Sequence, residues 1–88
     1  MSYEIIFKPA AQRQLKKLTP AVQQDIVTLI ESLAEEPRPA GCQKLKGRQH
    51  QYRVRCLDYR IIYSIEDATL LVRVIKVGHR RDVYEGSK

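Results

Sequence analysis

The chain has 88 residues, 43% hydrophobic and 30% charged, with 16 Lys plus Arg against 10 Asp plus Glu and a formal net charge of +6. A chain this short allows one domain, residues 1–88, with a thin core, because it buries only about 60% of the surface its unfolded form exposes. The composition excludes a disordered polypeptide, no apolar stretch approaches the ~20 residues of a membrane span, and "MSYEIIFKPA" carries charges where a secretory leader is apolar, so the cytoplasm is the expected compartment.

Residues 3–8 predict a strand, with Tyr3, Ile5 and Phe7 on one side and Glu4, Ile6 and Lys8 on the other. Pro9 suits the first turn of a helix, where its missing N–H is not needed. Ala11, Leu15 and Leu18 then recur at i, i+4 and i+7, leaving Arg13, Lys16 and Lys17 to solvent. Thr19 followed by Pro20 reads as an N-cap opening a second helix, whose stripe of Val22, Ile26, Leu29, Ile30 and Leu33 ends before Pro37. Glu35 and Glu36 then fall at the negative end of that helix's dipole, against the usual preference.

Residues 37–51, "PRPAGCQKLKGRQHQ", read as a loop with two prolines and two glycines that also carries Arg38, Lys44, Lys46 and Arg48. Three strands follow, at residues 52–57, 59–65 and 70–77, joined by turns at Leu57-Asp58 and residues 66–69, with Gly78 ending the last. The order β-α-α-β-β-β predicts an α+β fold in which two N-terminal helices pack on one face of a largely antiparallel four-stranded sheet. Cys42 and Cys56 form no C-x-x-C pair and have no histidine at metal-binding spacing, so they read as small apolar thiols; no metal or cofactor is expected.

The stretch "QYRVRCLDYRIIYS" (residues 51–64) is where the charge becomes informative. Side chains alternate along a strand, so Tyr52, Val54 and Cys56 share a face, as do Tyr59, Ile61, Tyr63 and Ile65. Pairing Cys56 with Tyr59 directs both sets to the helices and sets Arg55 opposite Arg60, with Arg53 beside them; a one-residue slip breaks the apolar face. Leu57-Asp58 is poor chemistry for a two-residue turn, which favours glycine or asparagine. In the next hairpin, pairing Ile65 with Leu70 brings Val72 and Val74 to the core and adds Arg73 to the open face, which it shares with Ile62, Leu71 and Ile75. Like charges directly opposite cost a fraction of a kcal/mol per pair. A solvated basic face tolerates that; a face built for phosphate exploits it, since guanidinium donors match phosphate oxygens. The tail "VGHRRDVY" follows directly, placing His79, Arg80 and Arg81, and then Tyr84, after a glycine that frees the backbone.

"FKPAAQRQLKKL", "KLKG", "YRVR", "DYRIIY" and "VGHRRDVY", in that order, span nearly the whole chain and resemble the RelE family of bacterial toxins, within the RelE/ParE superfamily of type II toxin–antitoxin systems. The resemblance implies a small α+β domain akin to microbial ribonucleases that enters the ribosomal A site and cuts mRNA there, without a metal, until a cognate RelB-like antitoxin neutralises it. The implied chemistry is attack of a ribose 2′-OH on the adjacent phosphate, with a base to take its proton, cations to hold the phosphorane charge and an acid for the leaving oxygen.

Carried over by position, Arg53 and Arg55 stand where studied members use lysines for the base and for charge stabilisation. Arg60 matches a phosphate-stabilising arginine, Arg80 one implicated at the leaving group or in charge stabilisation, and Tyr84 a tyrosine that stacks on or orients the RNA. Arginine at position 53 is a poor base, since its pKa stays above ~12. Three readings stay open: His79, the preferred one, as acid or base; slow cleavage carried by electrostatics and ribosomal groups; or loss of cleavage. Lys44, Lys46, Arg48, Arg73 and Arg81 are the expected RNA contacts. Competing readings are a ParE-like inhibitor of DNA gyrase and a non-catalytic RNA-binding module.

Overall fold

The computed structural model describes residues 2–79. Its elements run β1 (Glu4–Phe7), α1 (Pro9–Lys16), α2 (Pro20–Ser32), β2 (Gln43–Lys44), β3 (Gln51–Cys56), β4 (Tyr59–Glu66) and β5 (Leu71–His79). The strands form one sheet in the order β1-β5-β4-β3-β2. Only the β1–β5 pair is parallel; the other three pairs are antiparallel. The α+β architecture with two helices on a largely antiparallel sheet is as expected, but the sheet has five strands rather than four. The added strand is β2, inside the stretch read as a loop. Two residues carry no alternation to detect. The pair forms against the edge of β3, with Gln43 opposite Arg53 and Lys44 opposite Tyr52.

Both helices begin on proline, and the Thr19 hydroxyl accepts the Val22 N–H at 3.5 Å. Helix α2 stops at Ser32, earlier than the sequence suggests. Glu35 and Glu36 follow in a turn whose N–H groups donate to the Ser32 carbonyl, so they still lie at the negative end of the dipole, as does Glu31 in the last turn. The apolar stripe of the helices and the inward parity of the sheet meet in one core of Ala11, Ile26, Ile30, Leu33, Val54, Ile61, Tyr63, Ile65, Val72, Val74 and Val77. Fully burying a side chain of this size contributes about 1.5–3 kcal/mol. Strand β1 accompanies β5 only as far as Phe7 and Val74. Beyond that point the Val77 N–H donates instead to the Gln14 side-chain oxygen at 2.8 Å, which ties α1 to the unpaired end of β5.

The β3–β4 hairpin has the expected register, with Cys56 opposite Tyr59 and Arg55 opposite Arg60. Its turn places Leu57 at φ 57° with 56% of its surface exposed, in the left-handed region that favours glycine. Leu57→Gly is therefore expected to raise stability by about 0.5–1 kcal/mol through relief of this backbone conformation, read as a higher urea midpoint at unchanged slope.

The β4–β5 hairpin differs from expectation. Ile65 faces Val72 rather than Leu70, a shift of two residues that preserves parity, and Leu70 turns out of the ladder at φ 53°. A second irregularity then follows: Ile62 pairs with Lys76 and Tyr63 with Val74, leaving Ile75 as an extra residue. In such a bulge two residues oppose one, so parity changes beyond it. Val77 turns inward, and Lys76 turns out.

Candidate nucleic-acid interface

The face of the sheet opposite the helices can be followed row by row from the pairing. At the hairpin end Arg55, Arg60 and Gly78 lie side by side. The next row is Gln43, Arg53, Ile62 and Lys76. Then come Gln51, Ser64, Arg73 and Ile6, and finally Glu66, Leu71 and Glu4. Arg53, Arg55 and Arg60 therefore converge as anticipated, on three adjoining positions of two strands.

Their commitments differ. Arg53 donates to the Gln43 side-chain oxygen, which orients its guanidinium along the edge strand. The guanidinium groups of Arg55, exposed, and Arg60, half-buried, make no hydrogen bond or ion pair with any other described residue. Two guanidinium groups directly across a strand pair, with no described acid between them, present a concentrated positive potential to solvent.

Arg73 shares this face but is drawn off. It donates to Glu66, whose other carboxylate oxygen accepts the Thr69 hydroxyl at 3.2 Å, and the Arg73 hydrogen bond holds the Glu66 carboxyl below its usual range. Sited beside Ser64 and engaged with an acid, Arg73 is separated from the Arg55–Arg60 row.

The loop basics also divide. Lys44 pairs with Tyr52, which registers it on the helix side of β2, away from the arginines. Lys46 and Arg48 are exposed in the segment leading into β3. Between them and the sheet, Leu45 folds over the open face and forms a small second cluster with Ile62 and Ile75; Leu45 is 7% exposed and Ile62 8%. Ile62 lies on the open face as the parity predicts, but the chain's own Leu45 covers it.

His79 is not brought to the arginine row. It pairs with Tyr59 and meets that ring edge-on, centroids 5.5 Å apart at 77°, and Tyr59 packs against the main core. The register thus sets His79 on the helix side while Gly78, one residue earlier, lies beside Arg60. Arg80, Arg81 and Tyr84 lie outside the described residues.

Lys76 was missed from sequence. Its signal is the spacing of the valines: Val72 and Val74 follow the period of two, but Val77 comes three residues later, which marks an inserted residue. Arg38 was seen only as a loop cation. Its guanidinium grips Asp67 through two contacts of 3.2 and 2.8 Å, donates to the Tyr52 hydroxyl at 3.1 Å and lies 5.2 Å from that ring's centroid. The Tyr3 hydroxyl donates to the same Asp67 carboxylate at 2.7 Å, and the buried Tyr63 hydroxyl donates to the Pro37 carbonyl at 2.7 Å. Together they fasten residues 37–38 to the β4–β5 turn and to the start of β1.

The Arg38 hydrogen bond, followed by that of Tyr3, depresses the Asp67 carboxyl from 3.8 to about 2. A depressed acid stabilises the fold above its unfolded pKa and loses that contribution as pH falls through the folded one. The fastening is expected to be intact at neutral pH and to release as pH falls through about 2, while the stability it contributes declines from 3.8 downward. Tyr3 and Tyr52 ring signals in NMR should report a transition there that Asp67→Asn lacks.

A family model described as the ParE toxin of type II toxin–antitoxin system, parDE, matches residues 5–84. Toxin RelG from Mycobacterium tuberculosis is 31% identical over 85 residues, covering 96% of this chain and 98% of the relative. The mRNA interferase toxin RelE from Escherichia coli K12 is 30% identical over 82 residues, covering 91% and 85%. The archaeal RelE–RelB complex from Pyrococcus horikoshii contains a chain that superposes with a TM-score of 0.82 at 26% identity, covering 94% of this chain and all of that one.

Proposed function

Because the chain belongs to the RelE toxins within the ParE family of type II toxin–antitoxin systems, we propose that it is an endoribonuclease that cuts mRNA in the ribosomal A site and so arrests translation. The observation that carries this reading is the Arg55–Arg60 pair: two guanidiniums with no described acid partner, set across adjacent strands on a face that no described helix covers.

The chemistry follows from what such a pair does to a phosphodiester. A 2′-hydroxyl in line with its neighbouring phosphorus can attack without an added nucleophile, and the barrier lies in the charge that accumulates on the equatorial oxygens. Bidentate guanidinium donors meet that charge with fixed geometry and little reorganisation, which is where an enzyme gains most. Arg53, held by Gln43, offers a third cation one row away for the adjoining nucleotide. Arg80 is assigned to leaving-group protonation or charge stabilisation, Tyr84 to stacking on or orienting the RNA, Arg81 to RNA contact, and exposed Lys46 and Arg48 to ribosomal RNA.

The partner is a RelB-like antitoxin, in keeping with the RelE–RelB complex of the archaeal neighbour. An acidic segment laid across Arg55 and Arg60 would occupy the positions that the RNA phosphate takes. The test is a short pulse of expression followed by mapping of transcript 5′ ends, with and without ribosomes. Cuts phased to codons and dependent on ribosomes support the reading. DNA damage without such cuts points to gyrase, and RNA binding with neither cutting nor growth inhibition reduces the protein to a binding module.

A further inference from the structure

The three open-face arginines can hold a phosphate, but none can take the proton from an attacking 2′-hydroxyl, because a guanidinium keeps its proton throughout the range in which proteins work. Cleavage on this face therefore needs a different proton acceptor. Among the described residues most candidates are placed elsewhere. His79 lies against Tyr59 on the helix side. Glu66 is engaged by Arg73 and Thr69, and Glu4 lies at the far end beside Leu71. Asp58 is in the turn beyond the Arg55–Arg60 row, and Lys8 follows β1, on the far side of β5.

Lys76 is placed differently. The bulge at Ile75 turns it onto the open face, where it is exposed and stands across Ile62 from Arg53. It is diagonal to Arg60, a separation of roughly 7–8 Å between backbones that a four-methylene side chain spans. Gly78, the residue directly opposite Arg60, has no side chain to intervene. The cations around it on this face are Arg53, Arg60 and Arg73, with Lys8 at the end of β1; the acids are Glu66, held by Arg73, Glu4 in the same far row as Glu66, and Asp58 in the β3–β4 turn. Lys76 is the amine on the strands of this face that reaches the Arg60 phosphate position, and an amine, unlike a guanidinium, has a neutral form that accepts a proton.

We propose that Lys76 is the catalytic base of this toxin, an assignment that rests on the RNA-cleaving reading above. In the step, neutral Nζ takes the 2′-OH proton as O2′ bonds to phosphorus. The P–O5′ bond breaks, its electron pair leaves on O5′, and that oxygen takes a proton from water. The products are a 2′,3′-cyclic phosphate and a 5′-hydroxyl, and the Lys76 ammonium returns its proton to the hydroxide formed.

The test is single-turnover cleavage of a defined mRNA on purified programmed ribosomes. Lys76→Arg keeps the charge and most of the reach but cannot accept a proton. It is expected to slow cleavage by about 10²–10⁴-fold, the usual share of a general base, with ribosome affinity changed by less than threefold and an unaltered melting curve. Lys76→Cys alkylated with 2-bromoethylamine restores an amine at nearly the same reach and is expected to recover at least a tenth of the wild-type rate; alkylated wild type corrects for Cys42 and Cys56. Wild-type cleavage by Lys76→Arg, a fall in affinity that accounts for its loss of rate, or no recovery on aminoethylation would overturn the assignment. Absence of cleavage by the wild type would instead remove the reading beneath it.

Discussion

Replacing Arg55 and Arg60 together with alanine is expected to lower the rate of mRNA cleavage on programmed ribosomes by about 10⁴-fold or more, with the fold intact. Removing one fixed donor from a developing oxyanion typically costs about 10²–10³ in rate, and here two donors aimed at one phosphate are lost. Stability should move the other way. Neither guanidinium has a described partner to lose, and separating two like charges directly across a strand pair relieves a repulsion of a few tenths of a kcal/mol. The double variant should thus melt at or slightly above the wild-type temperature while losing toxicity. Arg73→Ala is the control: it frees Glu66 but leaves the Arg55–Arg60 row unaltered, so cleavage should fall by less than about tenfold, as expected for a rim contact. Toxicity retained by the folded double variant would remove the phosphate site from this face.

Tyr63→Ala is expected to have the largest effect on stability, a loss of about 3–5 kcal/mol. The ring is fully buried in the centre of β4, stacked at 6.0 Å on Tyr52, and its hydroxyl satisfies the Pro37 carbonyl. Truncation leaves a cavity among Ile65, Val74 and their neighbours and orphans a buried acceptor in one step. Domains of this size hold about 4–13 kcal/mol in total, so much of the chain should be unfolded at 37 °C. Tyr63→Phe keeps the packing and removes only the hydrogen bond, and a loss of about 1–2 kcal/mol is expected. Urea denaturation of the three proteins separates the two contributions. Equal losses for Phe and Ala would mean that the hydroxyl, not the ring, holds the segment in place.

Local chemistry made much of this structure readable. Proline at positions 9 and 20, the helical stripe through Ile26 and Ile30, and the strict alternation from Tyr52 to Ile65 each act over a few residues, and together they force Arg55 opposite Arg60. What escaped depends on longer range. Strand β2 exists because the β3 edge was available, not because Gln43 and Lys44 favour extension. Leu45 covers Ile62 from a segment whose composition reads only as loop. The grip of Arg38 on Asp67 joins residues 29 positions apart, beyond the reach of any periodicity. The bulge lay between these extremes: the uneven spacing of Val72, Val74 and Val77 records it, and overlooking that one inserted residue hid Lys76. His79 was misplaced for a different reason, since Gly78 does not end β5, which runs on to His79 and pairs it with Tyr59 on the helix side.

The central claim is that the scissile phosphate lies on the open face over Arg55 and Arg60. It is tested most directly by placing a 4-thiouridine next to a 2′-O-methylated, uncleavable linkage in the A-site codon, irradiating the toxin-bound ribosome and locating the cross-link by mass spectrometry. Cross-links to the β3–β4 hairpin between Arg53 and Arg60, or to β5 near Lys76, are the predicted result. Cross-links confined to α1, α2 or the helix side of β2, with the open face unmarked, would contradict it.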